Sequence, residues 1–191
     1  MNNLMERLDN LRKLIQEPDF LEGKGLSNEV NIRIFCYDPK EEMAVRHFTE
    51  KLVVDQNLGC HLVEYNLYKV FLSVCDKRHL TDRIPALEAQ KGKRYTLEQL
   101  IGGSGKRGPA GIEAIADVIR NESHERGDVI LITGVGEVFP FIRLHALLDT
   151  LQKQRFNVPI LAMYPGCYDG RYVRLFEVLP PNPYYRAFNE I

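Results

Sequence analysis

Gly127–Arg143, GDVILITGVGEVFPFIR, decides the fold. Val129–Ile132 is a four-residue apolar run entered by Gly127-Asp128 and left by Thr133-Gly134-Val135-Gly136. A short apolar run between turn signals suits a strand buried on both faces. Downstream, Phe141, Leu144, Leu148 and Leu151 recur at helical spacing behind Pro140, which predicts an amphipathic helix over Phe141–Gln154. Strand, glycine-bearing turn and helix make half of a βαβ unit, and ligands of such sheets collect at that turn. The turn carries neither a phosphate-loop lysine nor a nucleophile elbow, so it marks a place for function without naming the chemistry.

The same rhythm extends in both directions. Val30–Tyr37 reads as a first strand, closed by Asp38-Pro39 and followed by a helix over Glu41–Asn57 that buries Val45, Phe48 and Leu52, with Gly59 as its stop. Cys60–Tyr65 reads as a second strand and Leu67–Lys77 as the next helix. Thr81–Gln90 and Thr96–Ile101 read as short helices, the latter opened by a Thr96-x-x-Gln99 capping box. Pro109–His124, with Ile112, Ile115, Ala116 and Ile119 on one face, delivers the chain to the central strand. Val158–Tyr164 is a further buried strand, Tyr164–Arg171 a loop, and Arg174–Leu179 a last strand. Alternating strands and helices predict one α/β domain over residues 1–191: three layers, with a mostly parallel sheet of about five strands flanked by helices, as in a phosphate-loop NTPase core without its loop.

Composition narrows the function classes. The 191 residues suffice for a proper core, and the 45% hydrophobic and 27% charged fractions are those of a soluble globular protein. Lys+Arg of 25 against Asp+Glu of 26 exerts no global pull on nucleic acid or anionic lipid. No apolar stretch approaches the roughly 20 residues of a membrane span. Cys36, Cys60, Cys75 and Cys167 are scattered singly, as for reduced thiols in a cytoplasmic protein. Cys60-His61 is a poor chelate because neighbours on a strand point to opposite faces, so no metal site is expected.

Leu4, Leu8, Leu11 and Ile15 form an apolar stripe on an N-terminal helix within residues 1–16, which either packs on its own domain or docks a partner. Gly23-Lys24 lacks the preceding strand and following hydroxyl of a phosphate loop. In Gly102–Gly108, Gly105-Lys106 has Leu100 where the upstream glycine belongs and Arg107 where Ser or Thr belongs. Within the basic stretch Lys91–Arg107, Gly102–Gly108 is therefore a surface loop, with Lys106 and Arg107 as its candidate phosphate contacts at the start of the next helix. Any nucleic-acid binding there is expected to be weak and salt-sensitive.

Parallel strands bring Thr133, Gly134, Gly136, Glu137, Arg143, Tyr168, Asp169 and Arg171 to one sheet edge. Charged and aromatic groups beside glycines suit a binding surface, with Glu137 and Asp169 expected to pair with Arg143 and Arg171. No Ser-His-Asp set, paired carboxylates or H-x-x-x-H spacing points to a catalytic residue.

T-G-V-G-E-V-F-P-F-I-R (Thr133–Arg143), Y-P-G-x-Y-D-G (Tyr164–Gly170) and the terminal Y-Y-R-A-F (Tyr184–Phe188) together resemble the BrxB family of bacterial BREX phage-defence clusters. F-L-x-G-x-G-L-x-N-E (Phe20–Glu29) and Y-D-P (Tyr37–Pro39) agree, so the resemblance covers essentially the whole chain. It implies a non-catalytic component without cofactor. Its contacts would be with other BREX proteins, above all the phosphatase-fold protein PglZ, which the family accompanies along with a methyltransferase and a large ATPase. The alternative is a nucleotide- or nucleic-acid-binding module using the Thr133–Glu137 turn and the Lys91–Arg107 stretch, about which the resemblance says nothing.

Overall fold

In the computed structural model, the described residues are 3–22, 31–102, 108–153, 158–169, 172–180 and 182–183. Gly23–Gly25, Lys106, Arg107, Gly170, Arg171 and Tyr184–Phe188 lie outside them. Within the described residues the chain runs α1 (Leu4–Leu14), α2 (Pro18–Leu21), β1 (Ile32–Tyr37), a 3-10 turn at Pro39–Glu41, α3 (Glu42–Val53), β2 (His61–Asn66), α4 (Leu67–Lys77), α5 (Ile84–Lys91), α6 (Lys93–Ile101), α7 (Ile112–Asn121), β3 (Asp128–Thr133), α8 (Val135–Val138), α9 (Leu144–Lys153), β4 (Ile160–Tyr168), β5 (Tyr172–Leu175) and β6 (Asn182–Pro183).

β1, β2, β3 and β4 are parallel, in the spatial order β2-β3-β4-β1. Registers of Ile130 with Ile160 and of Ile32 with Ile160 align the centre of the sheet. Every residue of β3 is buried, as its unbroken apolar run requires. Alternate side chains feed two cores. Phe35, Leu62, Leu131 and Leu161 meet α1, α2 and α3 on one face, and Ile34, Ile130, Ile132 and Ala162 meet α4, α7 and α9 on the other. The three-layer α/β architecture with a mostly parallel sheet is thus the one the alternation predicts. No helix among the described residues is long and apolar enough to cross a membrane.

Local readings need correction in four places. First, Tyr164–Tyr168 is strand and not loop: β4 runs on through Pro165 and exchanges its parallel neighbours for antiparallel β5 at Gly166 with Leu175 and Cys167 with Arg174. Glycine is needed there, since a Cβ on Gly166 would stand 2.1 Å from the Arg174 carbonyl oxygen. Second, Thr96 opens nothing. It lies inside α6, and its hydroxyl donates to Gly92 O at 3.1 Å. Third, the helix after Pro140 starts only at Leu144, because α8 has already used Val135–Val138. Fourth, Gly59 does not stop α3, which ends at Val53; its N–H donates instead to Gln16 Oε1 at 2.9 Å.

Of the two readings of the N-terminal stripe, packing on its own domain is the one the structure shows. Leu8, Leu11 and Ile15 have no exposed surface and Leu4 is half-buried against the same core, so the stripe is consumed by the chain's own sheet and offers no docking face. Cys36 and Cys75 are buried, and burial pushes the Cys60 thiol up to about 11, which keeps it protonated at neutral pH.

At the amino ends of β2 and β3, Asp128 accepts hydrogen bonds from the Glu125 N–H at 2.7 Å and lies 2.9 Å from His61 Nδ1. Burial pulls the Asp128 carboxyl up, but the Glu125 N–H and His61 outweigh it and hold the group below its usual value. A depressed folded-state value stabilises the fold above the unfolded carboxyl range, and that stability is lost as pH falls through the folded value. Acid titration of stability should therefore fall less steeply below about pH 4 in Asp128→Asn than in the native chain. Identical slopes would remove Asp128 from the acid response.

Candidate functional site

Three strand ends, α3 and α8 enclose a cleft of about 150 Å³ at the carboxyl edge, on the α3 face of the sheet. Tyr37 ends β1, Asn66 ends β2 and Thr133 ends β3. Arg46 and Thr49 come from α3, and Glu137 from α8. The strand order creates this cleft. β1 lies at one edge of the sheet and β2 at the other, so α3 must cross the sheet between them and bring its polar side to the ends of the central strands.

The side chains form a connected charge network. Arg46 Nη2 donates to Glu137 Oε1 at 2.9 Å and to Glu42 Oε1 at 3.2 Å. The Tyr37 hydroxyl donates to Glu42 Oε2 at 2.6 Å. Hydrogen bonds to Glu137 and then to Glu42 hold the Arg46 guanidinium above its ordinary value, so it stays charged. Burial, followed by the bond to Glu42, raises the Tyr37 phenol, which stays neutral. Beside this network the Thr133 hydroxyl donates to Glu64 Oε1 at 2.6 Å.

Gly134 sits at the pivot with φ +68°. A Cβ there would be 2.7 Å from Asn66 Oδ1, the oxygen that accepts the Lys69 N–H at 3.1 Å and caps α4. Glycine is required on both counts. Gly134→Ala should destabilise the fold by about 2 kcal/mol, the sum of a left-handed backbone penalty and a weakened cap. Urea denaturation measures it, and an unchanged midpoint would refute the close packing. Gly136 allows a similar approach, since a Cβ on it would meet the Phe176 ring at 2.9 Å.

The residues singled out in the sequence divide between two sides. Parallel β3 and β4 do bring their exits to one edge. Thr133, Gly134 and Glu137 line the cleft. Arg143 does not: it lies on the opposite side of the sheet, beside Tyr164, with its guanidinium 5.6 Å from the Phe139 ring centroid. Its expected pairing with Glu137 is replaced by the Arg46–Glu137 pair, because buried Val138 and the turn at Phe139–Pro140 separate the two residues across the edge. Tyr168 packs against the α4–α7–α9 core, and Asp169 Oδ1 accepts the Tyr172 N–H at 2.7 Å, closing the β4–β5 hairpin. Sequence reading missed Tyr37, Glu42, Arg46, Glu64 and Asn66. Their only signal was polarity at strand ends and on one side of α3. Among the described residues, no three His, Cys, Asp or Glu side chains cluster as a metal site would need.

A sequence profile of the family described as BREX protein BrxB matches residues 63–190. A Bacillus cereus protein named BREX protein BrxB is 35% identical over 198 residues, covering 100% of this chain and 99% of its own length. The chain belongs to the BrxB family. An Escherichia coli O9:H4 protein of the same name is 29% identical, covering 95% of this chain and 88% of that one. No solved structure matches. The part matched by the BrxB profile contains most of β2 and all of β3, α8 and β4, and so holds Glu64, Asn66, Thr133, Gly134 and Glu137, whereas Tyr37, Glu42 and Arg46 precede it.

Proposed function

We propose that this chain is a non-catalytic component of a BREX-type phage-defence system. It acts through protein contacts with other BREX proteins, above all the PglZ-like phosphatase-fold protein, and the carboxyl-edge cleft is the contact surface. The observation that carries this reading is the make-up of that surface. A fixed network of Tyr37, Glu42, Arg46 and Glu137 is flanked by exposed apolar side chains: Tyr68 at the cleft, Leu72 one turn further along α4, and Met43 on α3, which is 71% exposed. Arginine, tyrosine and methionine around a preorganised charged centre are what protein interfaces enrich.

The alternative of nucleotide binding fits this cleft poorly. Its arginine is already shared by two carboxylates, and Glu50 and Glu64 line the same space, so a phosphate would meet four acidic groups. Calorimetry should detect no ATP binding, and co-purification with the PglZ-like protein should succeed. Failure of that pair to associate, or ATP binding abolished by Lys106→Ala, would overturn the proposal.

A further inference from the structure

Among the described residues β2 pairs with β3 alone, which leaves its other edge open. His61 donates its N–H to Gly127 O at 3.0 Å, on the β3 side. Peptide groups in a parallel ladder alternate sides, so Leu62 and Glu64 direct their N–H and C=O groups outward. A groove of about 330 Å³ lies along this edge. Glu64, Tyr65 and Asn66 all line it. Successive strand side chains point to opposite faces, so a groove touching all three meets the strand edge-on.

We infer that this edge takes an extended, acidic segment of a partner protein as an added strand. This deepens the protein-contact reading above and rests on it. Unpaired strand edges recruit extended segments through main-chain hydrogen bonds, while wall pockets select the side chains. Lys69 and Lys77 on α4 stand along the groove, both exposed and without an ion pair among the described residues. Eight residues on a helix span about 12 Å. Two acidic side chains four residues apart on a strand span about 13 Å and match that spacing. Val70 and Val118 give an apolar floor for the side chain between them. Of the groove's own carboxylates, Glu64 shares the α3 face of the sheet with Leu62 and accepts the Thr133 hydroxyl there, turned away from the α4 lysines, while Glu122 accepts the Tyr65 hydroxyl at 2.5 Å.

A second copy of this chain fits less well. Antiparallel pairing about a twofold axis would set one α4 against the other and bring lysines to face lysines. The groove also shares Glu64, Asn66 and Lys69 with the carboxyl-edge cleft, so a strand seated here would continue onto that surface.

The test uses the full chain and two labelled peptides of alternating threonine and valine, one with glutamate at its first and fifth positions and the other with lysine there. Fluorescence anisotropy should show the glutamate peptide binding at least tenfold more tightly. The doubly reversed variant Lys69→Glu/Lys77→Glu, exposed at both sites, should invert that preference without a change in folding. Hydrogen exchange should show new protection at the Leu62 and Glu64 amides on binding. Equal affinity for the two peptides, protection elsewhere only, or a dimer in light scattering that Lys69→Glu/Lys77→Glu alters would overturn the inference. Pull-down of the PglZ-like protein separates the two levels. Normal pull-down by the doubly reversed variant sinks the edge inference alone, whereas a native chain that binds the peptide but not the protein sinks the partner reading alone.

Discussion

Deleting residues 1–16 is expected to unfold the chain, not to cut a tether to a partner. Leu8, Leu11 and Ile15 have no exposed surface, and they cover Phe35, Leu131 and Leu161 on one face of the sheet. Burial of each such side chain contributes roughly 1.5–3 kcal/mol, so three of them approach the ~5–15 kcal/mol that holds a domain together. The helix is also tied at its polar positions. The Arg7 guanidinium donates to Cys36 O at 2.7 Å and stacks 4.6 Å from the Phe35 ring centroid, Arg12 pairs with Asp55, and Gln16 Oε1 accepts the Gly59 N–H. Leu11→Ala alone should cost about 2–5 kcal/mol through the cavity it leaves, lowering Tm on the order of 10 °C. Circular dichroism melts of both variants check this. A truncated chain that melts normally but loses its partner would return the stripe to a docking role.

Elements were legible where local chemistry and tertiary packing agree. β3 reads correctly because an apolar run between Gly127 and Gly134 has nowhere to go but the sheet centre. α4 reads correctly because its apolar period coincides with a real cap, Asn66, immediately before its first residue. β4 extends past its legible end because Pro165 and Gly166 are turn residues in any local reading. They continue the strand only because β5 arrives to pair with it, and the Phe176 N–H then donates to Pro165 O at 2.9 Å. The candidate site shows the same limit more strongly. Thr133, Gly134 and Glu137 were found from their turn. Arg46, the partner of Glu137, lies 91 residues earlier in the chain and meets it only because α3 crosses the sheet. No spacing rule encodes a contact set by strand order.

Arg46→Glu is the substitution expected to cost most function for least stability. Both ion pairs of Arg46 are more than a third exposed on the arginine side, so their loss should cost about 1 kcal/mol or less and shift Tm by only a few degrees. The surface itself changes far more. A third carboxylate would stand beside Glu42 and Glu137, and α8 would lose its tie to α3. If the cleft is the contact surface, pull-down of the PglZ-like protein and phage restriction should each fall at least tenfold, equivalent to about 1.4 kcal/mol of binding. Arg46→Lys should fall between, since an ammonium keeps the charge but cannot reproduce the planar fork that donates to two carboxylates. The exchange Arg46→Glu/Glu137→Arg then separates two ways the surface could work. It restores an ion pair between α3 and α8 with its polarity reversed. Recovery of binding would mean that the pair matters by fixing α8 in place. Continued loss, in a variant with a native melt, would mean that the partner reads the positive charge at position 46 directly. Normal restriction by Arg46→Glu itself would remove the cleft from the contact surface.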